Sequence, residues 1–160
     1  MAKLGDETLA EHAWRVLGQA CDERLAVGKA AEGLELPFPI VDDGFAVHAP
    51  LAGLVAGLRA ATYDVAVFLP VDTPLVGPAL LRALGEACRD AAVPRTGPLP
   101  GAYARRALPI LERRLDGGDL ALRQALTELE TVVVNADPAQ LVNVNTPGDL
   151  AALAKATAAR

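Results

Sequence analysis

Apolar positions in this chain change their period several times. Leu9, Ala13, Val16, Leu17 and Ala20 recur at helical spacing behind Thr8-Leu9-Ala10-Glu11. Thr8 suits an N-cap there, and Glu11 suits the residue that reaches back to it, so an amphipathic helix is expected. Arg24-Leu25-Ala26-Val27 reads as a short buried strand. The stretch from Pro37 to Gly44 reads as an extended piece closing in a turn. Pro50 suits the first position of a second helix, with Leu51, Leu54, Val55 and Leu58 on one face. Asp64-Val65-Ala66-Val67-Phe68-Leu69 is apolar on both faces, the pattern of a central parallel strand.

Further along, Pro78 to Ala91 predicts a helix with Leu80, Leu81, Leu84 and Cys88 turned inward, and Ala91-Ala92-Val93-Pro94 a short strand. Two more helices are expected, from Tyr103 to Arg114 and from Leu120 to Leu129, divided by Asp116-Gly117-Gly118. Thr131-Val132-Val133-Val134 reads as a strand. Thr146 and Pro147 open the last helix, with Asp149 near its positive end. Strands and helices alternate, which predicts one α/β domain over residues 1–160, three-layered and doubly wound around a mostly parallel sheet.

Composition narrows the function. Only 4% of the 160 residues are aromatic, so Ala, Leu and Val must build the core. The net charge of −5 argues against a nucleic acid or an anionic membrane as partner, because both reward basic surfaces. No apolar run approaches the roughly 20 residues of a membrane span, and no apolar signal core follows the first residues. A cytoplasmic location is therefore expected. Cys21 and Cys88 lack metal spacing and read as reduced core thiols. His12 and His48 read as surface or packing residues, and Trp14 as core or rim. Arg105, Arg106, Arg113 and Arg114 read as a solvated helical face, with a phosphate contact by one of them as the alternative.

In doubly wound sheets, ligands bind beyond the carboxyl ends of the strands. Asp72, in Leu69-Pro70-Val71-Asp72-Thr73-Pro74, follows the apolar strand directly. A lone carboxylate there suits Mg²⁺, which takes one or two carboxylates plus substrate phosphates; a simple turn is the alternative. Asp42 and Asp43 could meet a ribose, a base or a second metal, or merely form an Asp-Asp-Gly turn. Ala49-Pro50-Leu51-Ala52-Gly53 offers helix-start N–H groups to an anion, or only initiates a helix. Asn143 and Asn145 share a side if Val142-Asn143-Val144-Asn145 is extended; Asn145 could instead only stabilise the turn before the helix. Pro98-Leu99-Pro100-Gly101-Ala102-Tyr103 is a loop for a second substrate's pocket or a plain connection.

Taken together and in this order, Asp42-Asp43, Ala49–Leu54, Leu69–Pro74, Pro98–Tyr103, Asp116–Leu120 and Val142–Leu150 resemble the molybdenum cofactor guanylyltransferase family of nucleotidyltransferases. The resemblance implies a Rossmann-like nucleotidyltransferase fold. It also implies Mg²⁺-dependent transfer of GMP from GTP to a terminal phosphate of molybdopterin, with pyrophosphate leaving. Asp72 would hold Mg²⁺. Asn143 and Asn145 would line the nucleotide and metal region. Asp42 or Asp43, with Pro50, Leu51 and Gly53, would bind guanosine. Such a transfer needs charge neutralisation and in-line positioning more than an acid–base pair.

One departure is large. The family opens with a buried strand and a loop of the form G-G-x-S-x-R-M-G-x-D-K that cradles the triphosphate. Met1-Ala2-Lys3-Leu4-Gly5-Asp6 has no such pattern and leads directly toward the first helix. Ala49 also stands where the family usually has glycine. In the family that strand lies between the strands matching Leu25–Val27 and Asp64–Leu69, so a gap in the sheet is expected. A start upstream of Met1, a trimmed chain, a rearranged sheet or a strand from a partner would each account for it. The 160-residue chain is expected to be marginally stable or to self-associate. The alternatives in function are a non-catalytic nucleotide- or pterin-binding module, and a nucleotidyltransferase that uses CTP or a sugar phosphate.

Overall fold

The structure, a computed structural model, describes residues 3–29, 32, 33 and 35–158. Met1 and Ala2 of the opening hexapeptide lie outside the described residues. The rest of that hexapeptide contributes to a small hairpin, β1 (Lys3–Leu4) with β2 (Glu7–Thr8), an antiparallel pairing not expected from the sequence. Helix α1 (Leu9–Gly18) starts where the capping box requires. The Glu11 N–H donates to Thr8 Oγ1 at 3.1 Å, and the Thr8 N–H donates to Glu11 Oε2 at 2.7 Å. A parallel pair follows, β3 (Ala26–Gly28) with β4 (Ile40–Asp42). Helix α2 (Pro50–Ala60) begins on Pro50, as its fixed φ favours.

Strand β5 (Val65–Phe68) and helix α3 (Pro78–Ala87) lead to β6 (Ala91–Pro94), β7 (Gly101–Ala104), α4 (Leu108–Asp116), the short α5 (Leu122–Ala125), β8 (Thr131–Val134) and α6 (Pro147–Ala158). Four strands form a mixed sheet in the order β5-β7-β6-β8. β6 and β8 run parallel, whereas β7 runs antiparallel to both its neighbours. Gly101 to Tyr103 therefore form part of a strand rather than a loop and the start of a helix. Every residue of β7 is buried, and its backbone groups are consumed by pairing on both sides.

Alternate residues of the inner strands serve opposite layers. Ala91, Val93 and Tyr103 pack with α2, α4 and α5. Ala92 and Ala102 pack with α3 and Val16 of α1. This period of two makes the three-layer α/β architecture. Gly57 lets α2 approach the sheet closely: a Cβ there would lie 2.7 Å from Cε1 of Phe68.

The Asp64–Leu69 segment departs from expectation in one respect. β5 pairs with β7 alone, and β3 pairs with β4 alone. Between them opens a cleft of about 800 Å³, lined by Leu25 and Val27 on one side, Val65 to Leu69 on the other, and Gly53 and Gly57 of α2. The apolar strand that reads as central is thus an edge, and Val65 is 37% exposed. The expected gap in the sheet lies at this place. No helix among the described residues is long and apolar enough to cross a membrane.

Candidate functional site

At the carboxyl end of β5 the chain turns through Pro70 to Val76. Thr73 is the one polar side chain buried there, at 4% exposure, and its hydroxyl donates to the Pro70 carbonyl at 2.9 Å. The Thr73 N–H donates to the same carbonyl, and the Val76 N–H donates to the Thr73 carbonyl. Thr73 therefore ties the turn internally, and Asp72 is left half-buried at its rim. The segment after β8 reaches this rim. The Val144 N–H donates to the Asp72 carbonyl at 2.7 Å, and Asn143 Nδ2 lies 3.4 Å from Asp72 Oδ2. Tertiary folding thus joins two candidates that are 71 positions apart in sequence.

Asn145 takes a different part. Its backbone N–H and that of Thr146 donate to Asp149 Oδ2 at 3.1 and 2.9 Å, and the Asp149 N–H donates to Thr146 Oγ1. This is the capping of α6. The Thr146 hydroxyl, with the two N–H groups, holds the Asp149 carboxyl below the usual range. The Asn145 side chain is exposed beside this cap.

The acidic pair after β4 divides its work. Asp43 accepts from Lys29 Nζ at 2.8 Å and from the Phe45 N–H at 2.9 Å, with its side chain 8% exposed. Burial opposes its charge, but the Lys29 ammonium and the Phe45 N–H outweigh that, so its pKa lies below the ordinary carboxylate value. Lys29 also donates to the carbonyls of Phe45 and Val47, which folds residues 43–47 around one ammonium. Asp42 is exposed, and its Oδ1 accepts from the Gly44 N–H at 2.7 Å.

At the start of α2 the candidates separate too. Leu51 is completely buried and belongs to the core, so only its backbone is open to a ligand role. Pro50 and Gly53 line the cleft with Leu69 and Pro70, and a Cβ at Gly53 would meet no atom within 4 Å. The structure therefore places Pro50 and Gly53 on the same cleft as Leu69 and Pro70, which lead into the Asp72 turn.

Among the described residues no group of three or more His, Cys, Asp or Glu side chains is placed to hold a metal. Asp72 and Asn143 supply hard oxygen donors. A divalent ion taking most of its ligands from phosphates and water fits that set, whereas a metal needing an all-protein cage does not.

The four arginines expected on a solvated face are engaged. Arg105 donates to the carbonyls of Ala61 and Tyr63, Arg106 pairs with Asp90, Arg113 with Glu128, and Arg114 with Asp119 and Glu128. Two residues with little sequence signal prove structurally central, Lys29 and His12. His12 Nε2 donates to the Pro74 carbonyl at 2.8 Å. Only its place one turn into an amphipathic helix hinted that it faces inward.

The sequence model of the MobA-like NTP transferase domain matches residues 1–133. The chain belongs to the MobA-like NTP transferase family. A probable molybdenum cofactor guanylyltransferase of Chloroflexus aggregans is 32% identical, over 89% of this chain and 77% of its own. A molybdenum cofactor guanylyltransferase of Pseudomonas putida is 31% identical, over 90% and 82%. The crystal structure of molybdopterin-guanine dinucleotide biosynthesis protein A from Archaeoglobus fulgidus superposes with a TM-score of 0.80 at 26% identity, covering 99% of this chain and 90% of that one. The cytidylyltransferase 2-C-methyl-D-erythritol 4-phosphate cytidylyltransferase from Thermus thermophilus shares the fold alone, with a TM-score of 0.76 at 22% identity. These likenesses establish the Rossmann-like nucleotidyltransferase fold expected from the sequence. In this MobA-like chain, Asp72 and Asn143 meet at the carboxyl end of a strand, where open α/β sheets bind their ligands.

Proposed function

We propose that this protein serves guanylyl transfer in molybdenum cofactor biosynthesis: GMP passes from GTP to the terminal phosphate of molybdopterin. A phosphate oxygen of molybdopterin forms a bond to the α-phosphorus of GTP. The bond from that phosphorus to the bridging oxygen of the β-phosphate breaks, and pyrophosphate leaves with the electron pair. The observation that carries the reading is the meeting of Asp72 with the Asn143–Val144 segment at the end of β5, in a chain of this family.

Asp72 is the carboxylate that would hold Mg²⁺, with the Asn143 amide beside it. A bound Mg²⁺ would neutralise charge on the phosphates and orient them. Asn143 and the Val144 N–H keep the Asp72 turn against the segment that follows β8. The exposed Asp42, with the backbone around Pro50 and Gly53, would face guanosine; Asp43 acts through Lys29 to shape that loop. Asn145 would add an amide at the rim, and its own backbone is spent on the cap of α6.

The test is turnover with GTP, Mg²⁺ and molybdopterin, read as dinucleotide formed. Asp72→Asn is expected to lower turnover about 100-fold, the scale for removing one group that stabilises transition-state charge, while leaving the melting temperature in place. Parallel loss of folding and turnover would remove Asp72 from the chemistry.

A binding module without transfer is the second reading, and one observation favours it. Among the described residues that line the cleft the only cation is Arg24, and its guanidinium stacks 4.6 Å from the Trp14 ring. Equal affinity for GTP and GMP, insensitive to Mg²⁺, would select this reading. Competition by CTP would point to another nucleotide. The open edges of β3 and β5 would also accept a strand from a second copy or a partner. Light scattering should then show mass rising with concentration, and Val65→Lys should suppress the rise; a constant monomer mass would end that proposal.

A further inference from the structure

His12 joins two parts of the molecule that are 62 positions apart. It sits on α1 with 16% of its side chain exposed. Nε2 lies 2.8 Å from the Pro74 carbonyl oxygen, and Nδ1 lies 2.9 Å from Glu7 Oε1. Arg15 Nη2 is 3.0 Å from Nδ1 and 2.6 Å from Glu7 Oε1. A carbonyl oxygen only accepts, so Nε2 must carry the hydrogen. Nδ1 has two options. With a hydrogen it donates to Glu7; without one it accepts from Arg15. Either way the bond to Pro74 survives.

The carbonyl so held belongs to the turn that carries Asp72, two residues away. From the other side the Val144 N–H holds the Asp72 carbonyl at 2.7 Å. The turn is therefore gripped from α1 at one point and from the segment before α6 at another. Thr73, between these points, is buried and bonded within the turn. Pro70 and Pro74 lack N–H groups, which reduces the bonds the turn can make for itself.

We propose that His12 is a positioning residue: its Nε2–H sets the Pro74 carbonyl and thereby the place of the Asp72 carboxylate. The consequence for catalysis rests on the metal role proposed for Asp72. A carboxylate that must meet an ion and a phosphate together tolerates little displacement, since about 1 Å of misplacement can cost 100-fold in rate.

Two substitutions separate this role from general packing. In His12→Gln the side-chain amide nitrogen falls near the place of Nε2, so the bond to Pro74 is kept. In His12→Asn the amide nitrogen falls near Nδ1, so only the Glu7 side is kept. Both remove the imidazole. Backbone amide exchange at Thr73 and Val76 reads the turn directly, without nucleotide or metal. It should speed about tenfold in His12→Asn, the loss expected for one hydrogen bond, and stay within about twofold of the parent in His12→Gln. Unchanged exchange in His12→Asn overturns the proposal, and so does equal acceleration in both variants.

Mn²⁺ binding in the presence of GTP gives the second readout. His12→Asn should weaken it about tenfold and His12→Gln should restore it, at unchanged melting temperature. Asp72→Asn serves as the control. If it abolishes Mn²⁺ binding while His12→Asn leaves binding intact, the positioning of Asp72 by His12 is refuted. If Asp72→Asn leaves Mn²⁺ binding unchanged, the metal role of Asp72 fails instead, and amide exchange alone decides whether His12 sets the turn.

Discussion

The four-stranded sheet and the β3–β4 pair are built from similar residues and end in different states. In the larger sheet every residue of β6 and β7 is buried, and Leu51, Leu54, Leu81, Leu84 and Leu111 are at 0–1% exposure around it. In the smaller pair all of β3 is only half-buried. Both contain small apolar residues, but β7 has a partner on each edge and β3 has one. Burial follows from neighbours on both edges and both faces, so apolar composition alone does not make a core.

That contrast can be broken from the top down. Leu84→Ala removes a fully buried side chain from the α3 layer and should cost about 3 kcal/mol. Val27→Ala, facing the cleft, should cost less than about 1 kcal/mol. Urea denaturation of the two variants measures the difference. Equal costs would mean that the cleft side is packed as tightly as the other.

A smaller effect is expected at the loop that Lys29 gathers. Lys29→Met leaves Asp43 nearly buried without its cation, and the loss should be about 2 kcal/mol, below that of a fully buried pair because both side chains keep some exposure. Amide exchange should localise the loosening to residues 43–47 and leave the larger sheet protected. Spread of the loosening into β6 and β7 would show the two regions to be one cooperative unit.

The smallest effect is a pH dependence confined to the opening hairpin. The Arg15 guanidinium bonds the Glu7 carboxylate and, with a lesser contribution from His12 and against the opposition of burial, brings its pKa down to about 2. The folded-state pKa is depressed, so this contribution is complete above the unfolded value. It is lost as pH falls from near the ordinary glutamate value of 4.5 toward about 2. Amide exchange at the start of α1 should accelerate over that window in the parent, and the change should be smaller in Glu7→Gln.

Much of this arrangement is legible locally. The Thr8–Glu11 capping box, Pro50 and Pro147 as first helical residues, and the runs Ala91–Pro94 and Thr131–Val134 each act through neighbours within a few positions, and the elements begin or lie where those residues place them. The gap beside Asp64–Leu69 was foreseeable only through the family resemblance, which implies a strand between those matching Leu25–Val27 and Asp64–Leu69. Tyr103 was harder. Its run of Gly-Ala-Tyr-Ala is too small and too short to reveal a strand period, and β7 exists because β5 and β6 both offer it an edge.

The site divides in the same way. Asp72 could be singled out as a polar residue after an apolar strand, and Asn143 by its alternation with Asn145, because both signals depend on order along the chain. Their meeting depends on the return of the segment after β8, and the rim carboxylate is shared across 71 positions. Local chemistry likewise gave no sign that Asp43 answers to Lys29 while Asp42 stays at the surface, or that Leu51 is core while Gly53 lines the cleft. Caps, turns and helix starts are short-range and are written in neighbouring residues. Which strand edge is closed, which carboxylate finds a cation and which ring holds a distant carbonyl are long-range, and they were decided only when the layers packed.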